Sequence, residues 1–327
     1  MTTLHSSVER EAATPSTRPV APTVSVVVPV HDGVEDLRRC LAALLAQDYP
    51  PERVQVLVVD NASREDVSAA LPDDERFLLL SEPVPGSYRA RNRALARADG
   101  EVVAFTDADC TPEPDWLRRG VEALRRTGEH LAMVGGAVEL TFPAGRPRTA
   151  WELYEAAHAF PQQRYLAEQN FAVTANLFTW RSALAEVGPF DAALRSRGDA
   201  EWGQRLAARG GAQGYAGAAV VHHPARSTWS QMCAKTLRVA RGRRDVDLAR
   251  GLGRRHFAGV AVAHARLAVR ALVEPPVREG VLRTPLDRVR YLLAHTTARA
   301  VFVGVYLPCA WRPAPVTRGT GAPATSA

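Results

Sequence analysis

Two aspartates, Asp107 and Asp109, stand one residue apart directly after an apolar run, Val102 to Phe105. The β-branched and aromatic residues of that run predict a short strand buried on both faces. If the strand continues past Thr106, both carboxylates point to the same side of the sheet. Two converging negative charges are costly unless a cation lies between them, and carboxylate oxygens suit Mg²⁺ or Mn²⁺. The alternative for an isolated pair of this kind is a turn or a helix cap.

Acidic residues also follow the earlier strands that the sequence predicts. Two β-branched runs, Val24 to Val30 and Val54 to Val59, lead into Asp32 and Asp60, and a helical pattern of leucines separates them. Strands that alternate with helices predict a parallel α/β sheet, whose ligands gather at the carboxyl ends of the strands. Four aspartates at the ends of three strands therefore indicate one shared site rather than unrelated turns.

The second half of the chain adds further polar candidates. A strand-like run, Phe171 to Phe178, and a turn at 188–191 precede Asp199, which is expected near the start of a helix. A helix N-terminus favours an ionised carboxylate, so Asp199 is either a helix cap or a chemically active group. The pair His222-His223 follows another apolar run and is either structural or a ligand of a metal or diphosphate.

The composition sets limits on the class of protein. The chain has 327 residues, 46% of them hydrophobic, which is enough for a sizeable core. A net charge of +6 and a pI near 9.5 suit anionic partners such as phosphates, nucleic acid or a membrane surface. The four dispersed cysteines predict neither a zinc site nor a disulfide framework. Residues 1–22 lack the apolar core of a signal peptide and are expected to form a disordered arm, and residues 313–327 a disordered tail.

With these motifs in this order, the chain resembles the family 2 glycosyltransferases, inverting enzymes of the GT-A fold that use nucleotide sugars. The resemblance covers about residues 24–245. Its motifs are the opening strand, Asp60-Asn61-Ala62-Ser63, Pro85-Gly86-Ser87-Tyr88 with Arg91-Asn92, Asp107-Ala108-Asp109, Asn176 with Arg181, Gly188-Pro189-Phe190-Asp191, and Asp199 with Arg205-Leu206. Two positions depart from the family pattern. His31-Asp32 stands where the family usually has an aromatic residue and Asn, and Gly198 replaces the Glu that usually precedes the catalytic Asp.

The resemblance implies a role for each candidate residue. Asp199 is expected to be the general base that takes the proton of the acceptor hydroxyl. The donor is expected to be bound by Asp32, Asp60 at the base, Arg91 at the diphosphate, Asn92, and Asp107 at the ribose or metal. The metal, Mg²⁺ or Mn²⁺, is expected to be held by Asp107, Asp109 and His222. The acceptor is expected to contact Asn176 and Trp202.

The implied architecture is α/β, with a mostly parallel central sheet flanked by helices at residues 23–247 and a helical extension at 248–312. The implied reaction transfers a sugar from a nucleoside-diphosphate sugar to an acceptor hydroxyl with inversion, in the synthesis of cell-envelope polysaccharide or glycolipid. The acceptor stays open between a lipid-linked sugar, a polysaccharide and a small molecule. A cytoplasmic location is expected, with peripheral contact to the inner face of the cell membrane left open.

A basic stretch, Lys235 to Arg255, precedes two apolar helical segments at about His256 to Val273 and Leu286 to Leu307. The basic stretch is either solvated or contacts an anion, which would be the donor diphosphate, a phosphorylated lipid acceptor or an anionic leaflet. No recognised nucleic-acid motif accompanies it, so nucleic acid is not the expected partner. The longest uncharged run, Ala300 to Trp311, is too short to cross a bilayer. The helices are therefore expected to cover the catalytic domain, mediate dimerisation or lie in the membrane interface.

Two other functions have to be weighed. A sugar nucleotidyltransferase shares the sheet and the metal but needs a Gly-rich basic loop after its first strand, which His31-Asp32-Gly33 does not supply. A non-catalytic nucleotide-sugar binding module predicts loss of Asp199 or its neighbours, which are present.

Overall fold

The computed structural model describes residues 21–275, 277 and 280–311, so the expected tail and all but the last two residues of the expected arm lie outside it. The strands are β1 Val24–Val30, β2 Val54–Asp60, β3 Phe77–Ser81, β4 Val102–Thr106, β5 Thr111–Pro112, β6 Ala132–Thr141, β7 Asn176–Trp180 and β8 Ala212–Pro224. The helices are α1 Val34–Leu45, α2 Ser87–Leu95, α3 Trp116–Thr127, α4 Ala150–His158, α5 Gln162–Gln169, α6 Arg181–Val187, α7 Gly198–Ala208, α8 Trp229–Ala249, α9 Arg254–Val273 and α10 Pro285–Trp311.

The strands form one sheet in the order β3-β2-β1-β4-β7-β6-β8-β5. The first four of these are parallel to one another, as are β6 and β8, whereas β7 is antiparallel to both β4 and β6, and β5 to β8. The predicted α/β architecture is confirmed, and its parallel part coincides with the helix–strand alternation of the first hundred residues. Parallel pairing needs a crossover connection between strands, and the regular alternation that supplies it ends at β4.

The core lies on both faces of the sheet, as the continuous apolar run of β1 predicts. Val26 and Val28 of β1 pack on one face with the buried leucines of α1, while Val27 packs on the other face with Phe105 and the helices α2 and α7. Successive strand residues point to opposite faces, so a central strand covered on both sides requires apolar residues at every position.

One local expectation differs from the structure, and two features of this region have no simple sequence pattern. Strand β6 continues through Gly136 with a bulge against β8. A Cβ on Gly136 would lie 2.3 Å from Asn176 Nδ2, so glycine maintains this close approach. The strand expected at 171–178 begins only at Asn176. The region before Asn170, which lacks a regular pattern, contains α4 and α5.

The C-terminal helices form a layer in which α10 packs against α4, α8 and α9. Helix α10 begins with a reciprocal cap, since Thr284 Oγ1 accepts a hydrogen bond from Asp287 N at 3.1 Å and Asp287 Oδ2 accepts one from Thr284 N at 3.1 Å. Tyr306 of α10 donates to Asp247 of α8 at 3.0 Å, close to the expected domain boundary. By length and composition alone, α9 and α10 could each span a membrane, with a mean hydropathy of 1.2.

Candidate active site

A cavity of about 1220 Å³ opens at the carboxyl ends of β1 and β4 and extends to the C-terminal helices. One part, which we call the sheet end, contains the predicted residues Asp32, Arg91, Asp107, Asp109 and Asp199. The other part, which we call the helix end, is lined by His158 of α4, by Thr236, Val239 and Arg243 of α8, by His264 of α9, and by Arg299 and Phe302 of α10. The sheet end lies where a parallel sheet is expected to bind its ligands.

Asp107 and Asp109 lie in the turn after β4 and not on a continued strand, because Cys110 N donates to Asp107 O and closes a turn. The expected strand geometry is therefore wrong, although both carboxylates reach the cavity. Asp107 Oδ1 lies 2.5 Å from Arg91 Nη2, and Asp109 Oδ2 lies 3.4 Å from His223 Nε2. Burial raises the pKa of Asp109, an effect that His223 opposes.

Arg91 is only 4% exposed and is held by the start of α2, where its Nη1 donates to Ser87 O at 3.2 Å. Asn61 fixes the loop that leads into this helix. Its Nδ2 donates to Glu82 O and Val84 O at 3.0 and 2.8 Å, and its Oδ1 accepts from Gly86 N at 2.7 Å. The sequence showed Asn61 only as part of a motif, and the structure shows that it positions the loop before Arg91.

Asp199 is the second residue of α7 and is half-buried in the cavity wall. Tyr88 OH donates to Asp199 Oδ1 at 3.2 Å, and Ala200 N donates to the same oxygen at 2.9 Å. Burial raises the pKa of Asp199, and the hydrogen bond from Ala200 opposes that rise. A Cβ on Gly198 would lie 2.7 Å from the Tyr88 ring, so the glycine found in place of the expected Glu leaves room for Tyr88 beside Asp199.

Asp32, the other departure from the family pattern, adopts a left-handed backbone with φ of 58° at the cavity edge. Its carboxylate accepts hydrogen bonds from Arg64 N at 2.7 Å and Arg64 Nη2 at 3.1 Å. These hydrogen bonds lower the pKa of Asp32. Asp32 thus reaches the cavity already paired with an arginine.

Two residues expected to bind the donor do not line the cavity. Asp60 Oδ1 accepts a hydrogen bond from Ser63 N at 2.9 Å, within the turn after β2. Asn92 donates to Phe190 O at 2.7 Å and accepts from Phe190 N at 3.0 Å, so it joins α2 to the turn at 188–191. In this structure Asn92 holds two segments together.

The two expected acceptor contacts are core residues, and this expectation is corrected. Asn176 is 0% exposed, accepts from Trp116 Nε1 at 2.9 Å, and donates to Ala137 O and Ala219 O at 2.7 and 2.9 Å. Trp202 is also 0% exposed and donates to Gly188 O at 3.0 Å. Neither side chain has surface left for an acceptor.

The expectation that His222 binds the metal is corrected. The neighbouring His223 is the residue that reaches Asp109. His222 Nε2 lies 3.1 Å from Glu113 Oε1 and is outside the cavity, whereas His223 lines it. Adjacent residues of β8 point to opposite faces of the sheet, so only one of the pair can reach the site.

Between the two ends of the cavity lies a buried ion cluster that no sequence motif indicated. The Glu155 side chain, 1% exposed, pairs with Lys235 Nζ and Arg226 Nη1, and accepts from Arg226 N at 2.8 Å. Burial alone would raise the pKa of Glu155, but the charges of Lys235 and Arg226 bring it below its ordinary value. Lys235 belongs to the basic stretch, so this stretch is not simply solvated.

At the helix end, burial together with neighbouring arginines keeps the histidines neutral. The pKa of His264 is lowered to about 4, first by burial and then by Arg299 and Arg243, and that of His158 to about 3, by burial and Arg299. Arg299 Nη1 lies 3.4 Å from His264 Nδ1, and Tyr291 OH lies 2.8 Å from His158 Nε2.

The sheet end can hold a divalent metal with only a few protein ligands. Among the described residues, no three His, Cys, Asp or Glu side chains are grouped to hold a metal ion. Asp107 and Asp109 supply carboxylate oxygens, and one or two carboxylates are what Mg²⁺ uses when substrate phosphates complete its coordination.

Comparison with known proteins agrees with this geometry. The profile of glycosyl transferase family 2 matches residues 25–188. The chain is 33% identical over 295 residues to glycosyltransferase AglE of Haloferax volcanii, covering 89% of this chain and 92% of that protein. It is 25% identical over 185 residues to the glucosyl-dolichyl phosphate glucuronosyltransferase of the same organism, covering 54% and 58% of the two chains.

A solved structure shares the fold. The mannosyltransferase PcManGT from Pyrobaculum calidifontis, in complex with GDP-Man and Mn²⁺, has a TM-score of 0.53 and 21% identity, covering 89% of this chain and 74% of that one. The expected GT-A architecture is therefore confirmed. Together with the extent of the match to AglE and to the family profile, this shows that the chain is a glycosyltransferase that belongs to glycosyl transferase family 2.

Proposed function

We propose that this glycosyltransferase moves a sugar from a nucleoside-diphosphate sugar to an acceptor hydroxyl with inversion, and that Asp199 is the general base. The observation that carries the proposal is that Asp107, Asp109 and Asp199, from distant parts of the chain, line one cavity. Collecting carboxylates at one edge gains a fold little by itself, whereas a metal-dependent transfer requires them.

The donor diphosphate belongs at Asp107 and Asp109. A divalent metal bound there would neutralise the negative charge that develops on the departing diphosphate. Arg91 orients Asp107 through the 2.5 Å contact between Nη2 and Oδ1 and adds a fixed positive charge beside it. The structure of PcManGT was solved in complex with GDP-Man and Mn²⁺, which supports a nucleotide-sugar donor and a divalent metal for this chain.

Asp199 is suited to accept the proton of the attacking hydroxyl. Both of its hydrogen bonds fall on Oδ1, which leaves Oδ2 available to the cavity. A base works best when its pKa approaches the working pH, and burial moves the pKa of Asp199 in that direction. Attack from the side opposite the leaving diphosphate gives inversion at the sugar carbon.

The acceptor we favour is a lipid-linked sugar in the synthesis of cell-envelope glycolipid or polysaccharide. The name of the glucuronosyltransferase relative states a sugar carried on a dolichyl phosphate. In this chain α9 and α10 expose large apolar side chains, among them Val269, Val273 and Val289, at 66%, 82% and 61%. Peripheral contact of these helices with the inner face of the cell membrane would bring the cavity to a lipid acceptor.

Calorimetric titration of the full chain with a panel of nucleotide sugars, with and without Mn²⁺, tests the proposal. We expect one donor to bind in a Mn²⁺-dependent manner and Asp109→Ala to remove that dependence. Incubation with the donor should then release nucleoside diphosphate. Binding without release would indicate a binding module, and pyrophosphate release from a nucleoside triphosphate and a sugar phosphate would indicate a nucleotidyltransferase.

A further inference from the structure

Among the described residues, the lining of the helix end includes Arg243 and Arg299 but no carboxylate, although Asp247 of α8 lines a smaller neighbouring cavity together with Arg243. Burial lowers the pKa of His264, and the charges of Arg299 and Arg243 lower it further. The nearest buried carboxylate of the cavity, Glu155, is already paired with Lys235 and Arg226. The helix end therefore has an excess of positive charge in a partly enclosed space.

The cations of the helix end have few partners within the described part of the chain. Arg243 has no hydrogen bond or ion pair there, and Arg299 contacts only the ring of His264 through Nη1 at 3.4 Å. Arg299 Nε is buried and has no hydrogen-bond acceptor. A buried N–H without an acceptor is unfavourable, and native structures rarely keep one unless a ligand or water completes it.

Helical periodicity places these cations along one side of the cavity. Lys235, Val239 and Arg243 recur every four residues on the face of α8 that lines the cavity. The rise of an α-helix separates Lys235 from Arg243 by about 12 Å along the axis, so Arg243 lies well beyond the ion cluster of Glu155. Gly242 packs against Ser196, three residues before Asp199, since a Cβ there would lie 2.6 Å from Ser196 Cβ. The helix end is thus adjacent to the segment that carries the proposed base.

The helices α9 and α10 expose large apolar side chains as well as the charged residues Arg266, Arg270 and Arg288. Phe302 stacks on His264 with a ring separation of 4.2 Å, and it lines the cavity beside Arg299. Further along α10 and α9, exposed side chains are large and apolar, namely Leu293, Val289, Leu286, Val273, Leu272 and Val269. Leu293 lies six residues, or about 9 Å, along α10 from Arg299. The helix that contributes Arg299 to the pocket thus also exposes large apolar side chains within about two turns.

We propose that Arg243 and Arg299 bind the phosphate of an acceptor whose apolar chain lies along α9 and α10. A phosphate supplies acceptors for both guanidinium groups, and arginine is suited to bidentate phosphate contacts. The apolar chain covers side chains that would otherwise face water. This inference rests on the proposed function, because it names the acceptor that the transferase would use.

The test uses the full chain and three probes, farnesyl phosphate, farnesol and inorganic phosphate, each titrated by calorimetry. The variants are Arg243→Gln and Arg299→Gln, with Arg241→Gln as the matched control. Arg241 is an exposed arginine of the same helix that does not line the cavity. Arg243 is exposed and forms no hydrogen bond in the described residues, so its replacement is expected to leave the fold intact.

We expect farnesyl phosphate to bind the wild-type chain and each cavity variant to weaken that binding about tenfold or more, since charge-assisted contacts to phosphate are lost. Arg241→Gln should change it less than about twofold, a limit set by the weak effect of exposed charges. Farnesol and inorganic phosphate should both bind more weakly than farnesyl phosphate. Nucleotide affinity in Mn²⁺ should be the same in all variants.

Three results would overturn the inference. The first is absence of farnesyl phosphate binding, or equal binding by wild type and Arg243→Gln. The second is farnesol binding as tightly as farnesyl phosphate, which would leave the arginines without a role. The third is inorganic phosphate binding as tightly as farnesyl phosphate, which would indicate a site for a free anion. A different result would separate this inference from the proposed function. If the wild-type chain binds farnesyl phosphate but no nucleotide sugar, and both cavity variants lose farnesyl phosphate binding, the phosphate site is upheld and the proposed function is refuted.

Discussion

The sheet end and the helix end of the cavity both contain several charged side chains, but they differ in whether those side chains have partners. At the sheet end each carboxylate has a partner, as Asp107 has Arg91 and Asp32 has Arg64. At the helix end, the one polar contact that Arg299 makes within the described residues is to the neutral ring of His264. A paired charge is already stabilised by the fold, whereas an unpaired charge in a cavity depends on water or on a ligand. The difference indicates that the sheet end is organised before a ligand arrives and that the helix end is completed by one.

Glu155 lines the same cavity as the two ends and connects the elements that form them. This carboxylate of α4 holds Lys235 of α8 and Arg226, whose charge also acts on Asp109. The helical layer is thus attached to the sheet through a buried ion cluster.

The largest effect is expected at the sheet end, from Asp199→Asn. Asparagine keeps the shape but cannot take the proton, so turnover should fall by about 10² to 10⁴, the usual contribution of a general base. Donor binding should change little, because Asp199 is not among the residues expected to hold the diphosphate. Rates of nucleoside diphosphate release and donor affinity measured on the same preparation check this. Turnover within a few-fold of wild type would show that another group is the base.

The connection between the two ends is probed by Glu155→Gln. This change leaves Lys235 and Arg226 without their partner, and breaking a buried pair costs about 3 kcal/mol. Urea denaturation measures the free energy of unfolding. The control is Glu168→Gln, since Glu168 is 62% exposed and lies 3.8 Å from Arg164, and an exposed pair contributes less than about 1 kcal/mol. Equal losses in the two variants would mean that the buried cluster does not hold the helical layer.

A smaller effect is expected from the histidines of the helix end when the pH falls. The pKa values of His158, His264 and His295 are lowered to about 3, 4 and 4, in each case first by burial. Between pH 6.5 and about 4 the unfolded chain binds protons that the folded chain does not, so the free energy of unfolding should decrease as the pH falls. Asp109 and Asp199 have raised pKa values and contribute in the opposite direction.

Urea denaturation at pH 7 and pH 5 measures this dependence, and His264→Asn should make it shallower. Asp199→Asn removes a group with the opposite contribution, so any change that it causes should be toward a steeper dependence. An unchanged dependence in both variants would mean that the two ends do not differ in the way their titrating groups are buried.

Much of the sheet end could be predicted from the sequence because its signals are local. The apolar runs of β1 and β4 and the leucines of α1 reflect burial on a fixed face, and each is legible within about a dozen residues. The positions of Asp107, Asp109 and Asp199 in a shared cavity followed from one rule about strand ends together with the resemblance to a family.

Other residues were misassigned because their roles depend on partners far away in the sequence. Asn176 and Trp202 looked like acceptor contacts, yet they are bonded to backbone and side-chain atoms of remote segments in the core. The choice between His222 and His223 depended on the register of β8 against β6 and β5, which no local pattern specifies.

The sequence by itself determined the sheet, its order of motifs and the acidic residues at its edge, since each is a property of a short segment. Only the tertiary structure decided that Glu155 joins α4 to α8 and that Arg243, His264 and Arg299 from three helices meet in one pocket. The physical reason is that the role of a charged residue depends on its neighbours in space. Those neighbours decide whether the charge is solvated, paired or available to a ligand.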